Sequence, residues 1–140
     1  MPEIPLQNRE VPNGRHGMDA ARMAEGQLPD GTQWNVSVTE RFDGFSNSRD
    51  YRVVIGSRLA SVSVNENGYV FGVRNQNGSV RSPEGQTQAS ALVTALNTAI
   101  ASGGISPEEL NILASPTESI ANMPALAGRA SRTRGDGPSM

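Results

Sequence analysis

The chain has no cysteine and no lysine, a single histidine, and only six aromatic residues among 140. Without cysteine there is no disulfide and no thiolate chemistry. With His16 as the one imidazole, zinc sites rich in Cys and His are excluded too. No stretch approaches the roughly 18 consecutive apolar residues of a membrane span. The opening MPEIPLQNRE lacks the apolar run of a secretory leader. These absences predict a soluble chain made in a cytosol. The net charge of −2 offers no whole-molecule attraction for nucleic acid. The apolar fraction of 36% falls below the roughly 45–50% usual for globular domains, while glycine (15) and proline (9) run high. A chain of this kind reads as partly compact and partly extended.

What is present is unevenly distributed. Trp34, Phe42, Phe45, Tyr51, Tyr69 and Phe71 all lie within one window of the sequence. Aromatic side chains bury the most apolar area, so the core is expected there, with these rings inside it. Residues 1–33 read as an extended arm, punctuated by Pro2, Pro5, Pro12 and Pro29, with one short helix expected over Met18–Glu25. Its larger apolar residues are spaced singly and cannot form a core of their own. Ile4, Leu6, Val11, Met18 and Met23 are therefore the candidate partner-binding residues, a strap laid on another surface. Removing residues 2–30 is expected to leave the β domain folded.

Residues 34–83 alternate with the period of half-buried strands. Trp34, Val36, Val38 and Phe42 share one parity, as do Tyr51, Val53 and Ile55, then Ala60, Val62 and Val64, then Tyr69, Phe71 and Val73. Asn67-Gly68 predicts a two-residue hairpin turn, since both central residues of such a turn need positive φ. That register sets Val64 against Phe71 and Val62 against Val73. A second Asn-Gly, Asn77-Gly78, would oppose Arg74 with Arg81 in the same register, so a shorter pairing or an open loop is expected there.

Three Ser-Pro-acid starts follow, at Ser82, Ser106 and Ser115. A capping hydroxyl, proline in the first turn and an acid near the positive end of the helix dipole predict three helical pieces, the first one long. Glu109 stands where a capping box needs it. Gly103-Gly104 ends the first helix, and Pro116 is expected to separate the second from the third. From Glu84 to Leu126 there are four acids and no base, against six arginines and four acids in the β region. The fold class is mainly β, a small antiparallel sandwich or barrel-like arrangement with a jelly roll among the alternatives. One longer and one or two short helices follow the strands. The organisation is an arm over 1–33, one β-rich domain over 34–123 and a polar tail over 124–140.

No constellation of reactive groups accompanies this layout, and no catalytic, cofactor-binding or metal-binding residue is assigned. His16 lies in the glycine-rich arm, away from any rigid scaffold. Asp43 and Asp50 flank a polar loop of the type aspartate favours. Glu108 and Glu109 are accounted for by the helix start. The arginines of the β region are diluted by acids, which argues against a single-strand platform. Arg134-Gly135-Asp136 is a tripeptide that integrins recognise, a short motif that arises readily by chance.

In layout the chain resembles the capsid cement, or decoration, proteins of tailed bacteriophages. The resemblance rests on the proline-punctuated arm from Pro2 to Asp30, the short strands from Trp34 to Val73 with the Asn67-Gly68 turn, and the tail RTRGDGPSM. It implies a non-enzymatic protein without cofactor on the outside of the virion. Its partners would be the major capsid protein and further copies of itself, as a dimer or trimer, with no direct contact to nucleic acid or membrane. No functional residue carries over, because the resemblance contains no diagnostic motif. The alternative is an effector injected into a host cell and acting by protein binding. The missing lysines suit it, since they would deny ubiquitin an attachment point; the same bias also arises from a GC-rich genome.

Overall fold

The computed structural model describes residues 3–12, 18–42 and 45–125. It is mainly β, with two helices after the strands. Seven strands form one antiparallel sheet in sequence order: β2 (Gln7–Pro12), β3 (Met18–Gln27), β4 (Gln33–Phe42), β5 (Asn47–Ile55), β6 (Arg58–Asn65), β7 (Val70–Asn75) and β8 (Gly78–Ser79). A separate two-residue ladder joins β1 (Ile4–Pro5) to β9 (Gly104–Ile105). The layer facing the sheet is helical, made of α1 (Pro83–Ser102) and α2 (Pro107–Ala121).

Alternation in the strands decides which face is covered. Trp34, Val36 and Val38 on β4, Tyr51 and Val53 on β5, Ala60, Val62 and Val64 on β6, and Val73 on β7 are buried together. Against them pack Ala89, Leu92, Leu96 and Ala99 of α1 and Leu110, Leu113 and Ile120 of α2. The opposite face carries Ser37, Thr39, Ser48, Asp50, Arg52, Ser61, Ser63 and Arg74 and, among the described residues, has no layer over it. One face apolar and one polar is what a single antiparallel sheet needs when only one side is packed.

The N-terminal segment is extended, and it lies on this chain itself. Residues Met18–Gln27 form a ten-residue strand paired with β4 from Ala20↔Glu40 to Gln27↔Gln33, not the short helix their alanines suggested. Pairing with β4 over Ala20–Gln27 and with β2 over Met18–Met23 supplies backbone bonds along the strand, and its small residues suit the neighbours. Ala24 lies opposite Val36, and Gly26 lies opposite Trp34. A Cβ on Gly26 would come within 2.9 Å of the Trp34 ring. Helix propensity differs between residue types by less than about 1 kcal/mol, so tertiary context overrides it easily. The sheet therefore runs without interruption across residue 34, and a chain lacking residues 2–30 would lose three strands.

Both helix starts form as their sequences predict. Ser82 accepts from Gly85 N–H at 3.1 Å. Ser106 accepts from Glu109 N–H at 3.1 Å while Glu109 accepts from Ser106 N–H at 2.9 Å, closing the capping box. Gly103, at φ +89°, ends α1 by donating to Ala99 and Ile100. The third start does not form, because α2 continues through Pro116. An interior proline costs about 3 kcal/mol. Leu113 and Ile120, both fully buried on that helix, contribute about 1.5–3 kcal/mol each, which offsets it.

The Asn67-Gly68 hairpin forms with a three-residue loop instead of two. Asn65 N–H donates to the Tyr69 carbonyl at 2.9 Å, and Gly68 takes φ +85°. Val64 then pairs with Val70, and a bulge between Ser63 and Val64 leaves Phe71 as the extra residue before Ser63↔Gly72 and Val62↔Val73. The expected Val64–Phe71 pair is thus replaced by Val64–Val70. The second Asn-Gly gives the short pairing expected: Asn75↔Gly78 and Arg74↔Ser79, which sets Arg74 opposite a serine.

Candidate functional site

The bulge at Phe71 changes where the aromatics go. Trp34 and Tyr51 are buried, but Phe42 is 47% exposed, Phe45 96%, Tyr69 76% and Phe71 62%. The expectation that the rings fill the core holds for two of six. Parity failed for Tyr69 and Phe71 because the three-residue loop and the bulge break the alternation. Phe42 and Phe45 end β4 and begin the connection to β5, whose first residue pairs with Phe42. Tyr69 and Phe71 flank the start of β7. In an antiparallel meander the β4–β5 and β6–β7 turns lie at the same end of the sheet, side by side. All four exposed rings therefore belong to one end of the molecule.

From that end the polar face runs down the sheet. Arg41 Nη1 lies 2.6 Å from Asp50 Oδ2, and Ser63 Oγ donates to Asp50 Oδ1 at 2.8 Å. Arg41 Nε lies 3.7 Å from the buried carboxylate of Asp19. The bond to Asp50, and then the charge of Asp50, raise the pKa of the Arg41 guanidinium above its ordinary value. Phe71 and Val11 border the same shallow depression as Arg41, Asp50, Arg52, Ser61 and Arg74. Arg52, Ser61 and Arg74 form one cross-strand row, flanked by Ser37 and Ser79. On the helix side, Tyr51 Oη donates to Asn97 Oδ1 at 2.9 Å and accepts from Arg49 at 3.4 Å. That hydroxyl, with Glu40 at 2.8 Å, raises the pKa of Arg49.

The candidate partner-binding residues scatter. Ile4 and Leu6 are half-buried and pack against this chain's own core: Ile4 sits opposite Ile105, and Leu6 N–H donates to the Gly103 carbonyl at 3.0 Å. They are thus the wrong residues for a free strap. Met23 is half-buried on β3 opposite Ser37, and Val11 is 38% exposed on β2. Met18 begins β3 opposite Pro12. Val11 joins the aromatic and polar surface just described. Asp50 serves Arg41 and Ser63, and Asp43 lies outside the described residues. His16 and Arg134-Gly135-Asp136 also lie outside them. Between the helices and the sheet, Arg58 pairs with Glu118 at 3.0 Å, both half exposed, so the contact is worth little.

Among the described residues no group of three His, Cys, Asp or Glu is placed to hold a metal, and no helix is long and apolar enough to cross a membrane. Comparison with known proteins returns no matching family model, no matching curated protein and no matching solved structure. The class is defined by the fold alone: an antiparallel β-meander with a two-helix cover, presenting aromatic hairpin ends beside a polar face.

Proposed function

We propose that this protein is a docking protein that binds another protein through its aromatic hairpin end, and that its partner is the assembled shell of a phage capsid. The observation that carries the docking reading is the exposure of Phe42, Phe45, Tyr69 and Phe71 at one end of the sheet. Leaving a large apolar side chain in water forgoes about 1.5–3 kcal/mol that burial would supply. Soluble monomers seldom expose large apolar patches without an interaction that covers them. Tyrosine and phenylalanine are also the residues enriched in the buried centres of protein interfaces. The capsid as partner rests on the resemblance in layout to cement proteins. On a lattice, many copies with modest contacts act together, and they stabilise the assembled state because only that state offers the complete site.

The test mixes the full chain with shells assembled from the coat protein encoded nearest its own gene, and separately with unassembled coat subunits. Co-sedimentation with shells at a fixed stoichiometry, and weak binding to free subunits, is the expected result. A gene with no coat gene in its genome, or no sedimentation with shells, contradicts the capsid reading. The effector reading is favoured by the absence of lysine. One surface lysine, as in Gln86→Lys, should shorten the lifetime of an effector in a eukaryotic cytosol and leave a shell protein unchanged.

A further inference from the structure

Arg52 and Arg74 occupy equivalent positions on β5 and β7, and each lies directly opposite Ser61 on the strand between them. Two strand spacings set their backbones about 9.5 Å apart. Both side chains are exposed on the face that no helix covers, since their neighbours Val53, Val73 and Asn75 point into the core. Neither guanidinium has an acidic partner among the described residues, whereas Arg49 and Arg58 each have one and Arg41 has two. The nearest carboxylate on this face, Asp50, already accepts from Arg41 and Ser63. Two depressions meet at this row, and Arg52, Ser61 and Arg74 line both.

We propose that Arg52 and Arg74 form a clamp over Ser61 that takes the carboxylates of an acidic segment on the docking partner. The guanidinium fork matches a carboxylate with two parallel hydrogen bonds. Ser61 lies between the forks as a hydroxyl donor, with Ser37 and Ser79 continuing the row outward. Neighbouring same-side residues of an extended peptide are about 6.8 Å apart. Two such carboxylates fall within reach of two long arginine side chains about 9.5 Å apart. Phe71 borders the same depression, so an acidic segment here would be continuous with a surface covering the aromatic end.

A phosphodiester strand is the poorer occupant. It would extend its charge past Asp19 and Asp50 on this face, on a chain that is itself net negative. Choosing a protein occupant rests on the docking reading above, but the clamp is read separately from it.

The experiment titrates the full chain with an N-acetylated Asp-Ser-Asp amide, whose two carboxylates match the two arginines, with an oligothymidylate and with inorganic phosphate, by calorimetry at low salt. The wild type should bind the peptide most tightly. Arg52→Gln with Arg74→Gln should weaken that binding about tenfold. Arg52→Lys with Arg74→Lys, which keeps the charge and loses the fork, should fall between. Peptide binding unchanged in the glutamine pair overturns the clamp, as does tighter binding of oligothymidylate or phosphate. Peptide binding that depends on these arginines, in a protein that never sediments with shells, upholds the clamp and defeats the capsid partner instead.

Discussion

Asn75 Nδ2 donates to the Met123 carbonyl oxygen at 2.9 Å, tying the last long strand of the sheet to the end of α2. The same amide donates to the Ile120 carbonyl at 2.9 Å, and its Oδ1 accepts from Asn77 N–H at 2.8 Å. The last carbonyls of a helix lack intrahelical partners. The last turn of α2 carries no basic residue to serve them, so the β7–β8 turn does. Gln76 adds a bond to the Ala121 carbonyl at 2.8 Å.

Replacing Asn75 with alanine takes this donor from the Met123 carbonyl, while the Ile120 carbonyl keeps the Met123 N–H at 3.1 Å. An unsatisfied buried group costs about 1–3 kcal/mol, so a loss of about 1–3 kcal/mol is expected. Urea unfolding should read this as a lower midpoint with unchanged slope.

Gly26 is held by Trp34. The added methyl of Gly26→Ala would meet ring carbon Cζ2 at 2.9 Å, and Trp34 is 1% exposed with no room to retreat. Overpacking of this kind typically costs about 1–3 kcal/mol. Lower thermal stability and a shifted indole emission are expected. At Gly31, where no atom lies within 4 Å, alanine would meet only the strain of φ +90°.

Removal of residues 2–30 should unfold the protein or drive it to aggregate. It strips β1, β2 and β3, uncovers the long β4 edge and takes Ala24 from the core. An exposed, regular edge strand invites pairing with other chains. Circular dichroism and light scattering of the truncated chain would decide this, and a soluble monomer with native strand content would contradict it.

Asp30 shapes the β3–β4 turn, where its Oδ1 accepts from Thr32 N–H at 2.9 Å. That backbone bond is the main cause holding its pKa below the ordinary value. A carboxyl depressed in the folded state adds stability above its unfolded value of about 3.9, and the contribution disappears as pH falls through the lower folded value. An NMR titration should place the Asp30 midpoint below that of an exposed aspartate. Asp30→Asn should flatten that part of the acid unfolding curve.

Much of this architecture is legible in the amino-acid order, and the exceptions have local causes. Val36, Val38, Val62 and Val64 announce their strands because each alternates with small polar residues. Ser82 and Ser106 announce their helices because capping chemistry is local. Met18–Gln27 hides its strand because Ala20, Ala21 and Ala24 have no β signature; only the partner strand β4 makes it one. Pro116 misleads because the packing of Leu113 and Ile120 outweighs a local break. The Ser61–Arg74 half of the polar row follows from the Val62↔Val73 register, which was readable; Arg52 joins it through the β5–β6 register, which no turn motif announces. The exposed aromatic end was not readable, since one inserted residue at Phe71 reverses the parity on which the reading depends.

The central claim is that the hairpin end binds the partner. Its most direct measurement compares wild type with a Phe45→Ser, Tyr69→Ser, Phe71→Ser variant for sedimentation with assembled shells, alongside thermal melting of each. These rings are largely in water, so the melting temperatures should agree closely while the variant stays in the supernatant. A variant that melts like the wild type and still sediments at full occupancy would contradict the account.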